Sequence, residues 1–159
     1  MTDQPHPFQP RLEHAFTVSI DLTKAVYLKP SSTGMTRAAV WAAQGKVEGK
    51  INGIVLPMSG GDFPLVRADG VIDFDARYLF ELDDGTHVYL QSRGYRWGTE
   101  EAMAKMSRNE PVADHEYYMR VSPKFDVPDG PHAWLNRHIF VGVAEKVPGA
   151  NRIHYFQVL

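Results

Sequence analysis

With 159 residues, 43% of them hydrophobic and 23% charged, the chain has the make-up of one ordinary globular domain with room for a core. A net charge of −2 gives no electrostatic case for nucleic acid or an anionic membrane surface as partner. Cysteine is absent, which excludes disulfides, thiol nucleophiles and zinc–thiolate centres and fits a reducing, cytoplasmic setting.

Residues 1–11 read as a flexible arm: the first ten are polar, hold Pro5, Pro7 and Pro10, and have no apolar leader. No later apolar run approaches the ~20 residues of a membrane-spanning helix. From residue 12 onward the chain reads as one β-barrel domain, 12–159. Turn signals recur at short intervals, at 31–34, Gly45, Gly49, Gly53, 59–62, Asp69-Gly70, Asp84-Gly85, Asp129-Gly130 and Pro148-Gly149. Between them lie β-rich runs at 13–22, 36–48, 51–57, 63–68, 71–82, 86–96, 116–126, 134–146 and 151–159. Short strands at this spacing predict an antiparallel sandwich or barrel.

The run 74–93 is a hairpin whose register can be worked out on paper. A two-residue loop, Asp84-Gly85, would mix apolar and polar groups on both faces. A three-residue loop, Asp83-Asp84-Gly85, with Gly85 left-handed in a G1 bulge, separates them. Leu82 then faces Thr86, Phe80 faces Val88, Tyr78 faces Leu90 and Ala76 faces Ser92. On the other face Glu81 meets His87, Leu79 meets Tyr89, Arg77 meets Gln91 and Asp75 meets Arg93. A slip of one residue turns over every side chain of a strand, so the separated pattern is the expected one. The polar face is Asp73, Asp75, Arg77, Glu81, His87, Tyr89, Gln91 and Arg93. It is either the solvated outside of a sheet or the lining of a cavity, and the hairpin does not choose.

One short helix is expected at about 99–107. Thr99 is its N-cap, and Glu100 and Glu101 suit the positive end of the helix dipole. The run 134–146 reads as a strand covered on both faces, with Trp134, Asn136, His138 and Phe140 on one side. That would aim Trp134 and Asn136 together into a pocket. The other reading of Asn136 is an amide that satisfies a backbone group.

Several segments together resemble one family: 45–49 (Gly-Lys-Val-Glu-Gly), 52–57 (Asn-Gly-Ile-Val-Leu-Pro), 60–63 (Gly-Gly-Asp-Phe), 66–70, 75–78, Asp84-Gly85, 117–120 followed by 123–125, and Trp134-Leu135-Asn136. Their order and spacing over 12–159 resemble the domain-of-unknown-function family 3237. The resemblance implies a closed, calycin-like or lipocalin-like antiparallel β-barrel around a small-molecule cavity. It implies no reaction. This chain has Gly49-Lys50 where the family has Gly-Pro, and Phe63 where a Trp is common.

Seven histidines, at 6, 14, 87, 115, 132, 138 and 154, form no metal-ligand spacing, and neither a nucleophile elbow nor a phosphate loop is present. No metal and no cofactor are therefore expected. What remains is acid–base chemistry. A carboxylate inside an apolar barrel is raised in pKa by desolvation and becomes a usable base, while Arg, Tyr and Asn donors stabilise an enolate or oxyanion. The candidate catalytic set is Arg77, Asn136, Asp75 and Tyr118. Candidate ligand-binding residues are Trp134, Glu48, Tyr89, Arg120, His138 and Asp62. Three functions stay open: a cofactor-free lyase, isomerase, hydratase or hydrolase acting on a small aromatic or apolar carbonyl compound; a non-catalytic carrier of such a ligand; and a homodimeric barrel with a vestigial cavity.

Overall fold

The computed structural model describes residues 6–159. Residues 1–5 of the expected arm lie outside the described residues. Residues 6–11 carry no strand, and Phe8 is exposed.

The strands are β1 (Leu12–Leu22), β2 (Val26–Tyr27), β3 (Thr36–Gly49), β4 (Gly53–Val55), β5 (Gly61–Asp62), β6 (Leu65–Val66), β7 (Ile72–Leu82), β8 (His87–Gly98), β9 (Tyr117–Asp126), β10 (Phe140–Val147) and β11 (Ala150–Val158), with helix α1 (Glu100–Ser107) after β8. Every pairing is antiparallel. The order around the sheet is β1, β11, β10, β9, β8, β7, then the interrupted β4–β5–β6, then β3, and β3 pairs back to β1. The sheet therefore closes into an eight-position barrel, with β2 added to the outer part of β3. Closure removes the exposed sheet edges that invite aggregation.

The hairpin has the separated register. Glu81 pairs with His87, Phe80 with Val88, Ala76 with Ser92 and Asp75 with Arg93. Gly85 has φ +83°, the left-handed conformation that the bulge needs and that a β-carbon disfavours. Its N–H donates to Leu82 O at 2.8 Å, which closes the turn. Alternation then decides inside from outside: Phe74, Tyr78, Phe80, Leu82, Val88, Leu90 and Ser92 are buried in the barrel.

One half of the interior is solid. Phe16, Phe80, Phe125, Phe140 and Tyr155 meet there at ring-centroid distances of 5.2 Å to 6.4 Å, with several edge-to-face pairs. Such pairs add ~0.5–1.5 kcal/mol each beyond the area they bury. Ile51, Val127 and Leu135 pack against the same cluster.

Helix α1 forms where expected. Thr99 Oγ1 accepts the Ala102 N–H at 3.1 Å, and Ala102 and Met106 are its buried face. Elsewhere the structure corrects the sequence reading. The expected strand 134–146 begins at Phe140; Ala133–Arg137 is a 3₁₀ turn. The cause is Asn136, whose Oδ1 accepts Val127 N–H at 3.0 Å and whose Nδ2 donates to Val127 O at 2.8 Å. That double bond holds the segment as a turn against the end of β9. The expected strands 51–57 and 63–68 shrink to Gly53–Val55 and Leu65–Val66, and the short β5 lies between them. Pro57 and Pro64 lack ladder donors, and Met58 turns the chain with φ +61°.

Candidate functional site

The other half of the barrel is hollow because the inward positions there are small. Ala42, Gly61, Ala76, Ser92 and Ala144 line a cavity walled by Ile20, Leu22, Phe74, Met119, Val121 and Ile153. About 50 Å³ of it is open to the centre of a water molecule, several times the ~10–15 Å³ that one water needs. Its lining reaches Asp62 of β5, Phe74 of β7 and Asn151 at the start of β11.

Few polar side chains line this space: Asp62 of β5, Tyr78 of β7, Ser92 of β8, and Asn151 and Tyr155 of β11, with Arg96 and Lys146 paired to lining residues at one end. Asp62 of β5 pairs with Ala76 and Val40 and so faces inward. Its Oδ1 accepts Asp75 N–H at 2.9 Å. Burial raises its pKa to about 6, and the neighbouring Asp75 adds to the rise against the pull of that N–H and of Arg96. Near neutral pH it is mostly ionised, yet basic enough to take a proton.

At the floor the hydroxyls of Tyr78 and Tyr155 lie together, with Ser92 beside them. Burial pushes both phenols upward, so both stay protonated. Ser92 Oγ is buried and makes no hydrogen bond of ordinary geometry. At the rim Arg96 pairs with Met119 across β8 and β9, and its guanidinium lies over Phe74 at 5.8 Å. Its Nε is buried without a partner. Lys146 and Asn151 face each other across β10 and β11. Lys146 Nζ donates only to Ala150 O, at 3.2 Å, and Asn151 Oδ1 is buried and unpaired. The Tyr117 hydroxyl accepts Lys146 N–H at 3.0 Å, which fixes this stretch of β10. Burial lowers the pKa of Arg96, and burial together with Arg96 lowers that of Lys146.

Of the residues expected from sequence, only Asp62 lines this space. Arg77 and Asp75 face outward on β7, where Asp75 sits 3.5 Å from Arg77 Nε and 3.6 Å from Arg93 Nη1. Tyr89 shares that outer face, and Glu48 pairs with Lys46 in solvent at 2.6 Å. Tyr118 and Arg120 lie outside on β9: Tyr118 stacks on Trp97 at 5.5 Å and Arg120 sits over Tyr118 at 5.1 Å. Asn136 is exposed and engaged by Val127. His138 is exposed, its Nδ1 2.8 Å from Trp134 O, and Trp134 packs on Phe140 at the solid end. The physical reason is parity. A hairpin with one apolar face turns that face to the barrel interior, so its polar face is the outside. The residues that sequence reasoning missed are Arg96, Lys146, Asn151, Ser92, Tyr78 and Tyr155.

Fold and cavity together define a closed antiparallel β-barrel with a partly hollow, sparsely polar interior. The chain belongs to the family described as protein of unknown function (DUF3237), whose model matches residues 10–158. It is 35% identical over 153 residues to the UPF0311 protein RPA1785 of Rhodopseudomonas palustris, covering 94% of this chain and 99% of that one. The crystal structure of that protein, described as conserved and of unknown function, superposes with a TM-score of 0.90 at 32% identity, covering 95% of this chain and 99% of the other. A β-barrel-like protein from Acinetobacter baumannii gives a TM-score of 0.82 at 30% identity, covering 98% and 100%. An enzyme from Penicillium herquei shares the fold at a TM-score of 0.72 and 21% identity, covering 98% and 99%. No helix among the described residues is long and apolar enough to cross a membrane.

Proposed function

We propose that the hollow end of the barrel binds a small, largely apolar, aromatic-sized carbonyl compound and that Asp62 moves a proton on it without a cofactor. The observation that carries this reading is a carboxylate on the cavity wall, raised to about 6 by burial, in the electrostatic reach of an arginine whose Nε has no partner. Asp62 would take a proton from the carbon beside the carbonyl. The C–H bonding pair would pass into the enolate, and its oxygen would be held by Arg96. Returning the proton to another carbon is isomerisation; expelling a neighbouring leaving group, or the reverse addition of water, is lyase or hydratase chemistry. The shared fold of the Penicillium herquei enzyme is compatible with catalysis and identifies no reaction.

A thermal-shift screen of phenolic acids, lactones and short keto-acids, followed by mass spectrometry and by deuterium exchange in heavy water, tests it. A stabilising compound should exchange or convert with wild-type protein, and Asp62→Asn should abolish that while keeping the fold. Turnover unchanged in Asp62→Asn would overturn the role of Asp62. Stabilisation by compounds that never exchange or convert would leave a carrier.

A further inference from the structure

We infer that the ligand of this cavity is an anion, specifically a small aromatic carboxylic acid, and that Arg96 and Lys146 are the residues that select it. The inference rests on the reading above that the hollow end is a ligand site.

Bringing a cation out of water is costly unless an anion and hydrogen-bond acceptors replace the water. The other lysines and arginines are exposed to water, some of them against a carboxylate (Lys46, Lys50, Arg67, Arg93, Arg108 and Arg152), and the half-buried Lys105 has Glu101. Arg96 and Lys146 are more enclosed than these surface cations, yet among the described residues neither has a carboxylate at ion-pair distance. Arg96 spends one face on the Phe74 ring and leaves Nε with nothing. Lys146 has one backbone carbonyl for its three donors. Arg96 lies close enough to Lys146 to disfavour the charge of that ammonium. A pair of like charges at the rim of an apolar cavity, both short of acceptors, is complementary to an anion. Asp62, the nearest acid, is anchored by the Asp75 N–H and stays on the wall.

The shape of the anion follows from what lies below it. A guanidinium fork and an ammonium suit the two oxygens of a carboxylate. Beneath them Phe74, Met119, Val121 and Ile153 form an apolar slot that a free inorganic anion would leave dry and unfilled. Asn151 Oδ1 adds an unused acceptor at the same level for a hydroxyl on the ligand.

The test is calorimetric titration of the full chain with sodium benzoate, benzamide and inorganic phosphate as probes, on wild type, Arg96→Met, Arg96→Lys and Lys146→Met. Benzoate is expected to bind at least tenfold more tightly than benzamide. Arg96→Met and Lys146→Met should each weaken benzoate at least tenfold and leave benzamide nearly unchanged. Arg96→Lys keeps the charge and should retain most of the affinity even where Arg96→Met costs fold stability. Equal binding of benzoate and benzamide, or full benzoate affinity in both methionine variants, overturns the inference. So does phosphate that displaces benzoate at equal concentration, because the site would then take a free anion. The outcome is separable from that of the catalytic reading: turnover of a neutral lactone or ketone without benzoate binding removes the anion preference and keeps Asp62, whereas benzoate binding with no turnover of any compound does the reverse.

Discussion

The burial of Asp62 has a thermodynamic consequence that can be measured without knowing any ligand. In the unfolded chain its carboxyl has the ordinary value of 3.8; in the barrel it is raised to about 6. Below pH 3.8 both states hold the proton and the group contributes nothing. As pH rises the unfolded state releases its proton first, so the folded state binds more protons and folding is disfavoured. The loss grows between about pH 4 and pH 6 and is complete above pH 6. At 1.36 kcal/mol per pH unit the gap corresponds to roughly 3 kcal/mol. Asp62→Asn keeps an oxygen for the Asp75 N–H and removes the charge. The assay is urea unfolding of both proteins from pH 4 to pH 8. Wild-type stability minus variant stability should fall by about 2–3 kcal/mol over that range and then level off. Subtraction cancels the other carboxylates, such as Asp84, which the Thr86 N–H and His132 hold at about 2. A flat difference would show that Asp62 is solvated like a surface acid. A difference that rises with pH would show it held by a cation. Either result refutes the reasoning.

Three further outcomes follow from the same contacts. Asn136→Ala removes both bonds to Val127 and should cost about 1–3 kcal/mol in denaturant unfolding, with ligand affinity unchanged once folded protein is selected. Thr99→Ala removes the cap of α1 and should cost about 1 kcal/mol, read as a lowered melting temperature. Arg77→Ala and Tyr89→Ala, on the outer wall, should change stability by no more than about 0.5–1 kcal/mol and leave ligand binding and turnover intact.

The hairpin was legible because two independent signals agree there: period-2 alternation from Phe74 to Ser92, and the Asp83-Asp84-Gly85 turn that demands a left-handed third residue. The helix was legible through Thr99. The site was not. The polar face of the hairpin points to Arg77 and Asp75, although one apolar face already implies that the polar one looks at water. The usable signal lay on the apolar face. Continuing its parity along β8 from Val88 through Leu90 passes Ser92 and Gly94 and reaches Arg96, a charged residue on the core side. Lys146 and Asn151 could not be found this way, because their inward direction follows from the β10–β11 register and from closure of the sheet through β1 and β3. Asn136 misled for a local reason: nothing in Trp134-Leu135-Asn136 reveals the backbone of Val127 waiting nine residues upstream.

The claim on which the account turns is that a guest molecule enters the barrel beside Asp62 and Arg96. A crystal structure of the protein soaked with benzoate tests it most directly. The carboxylate is expected between Arg96 and Lys146, with the ring against Phe74 and Met119. Benzoate found only on the outer wall near Arg77 and Arg93, with the interior holding water alone, would contradict it.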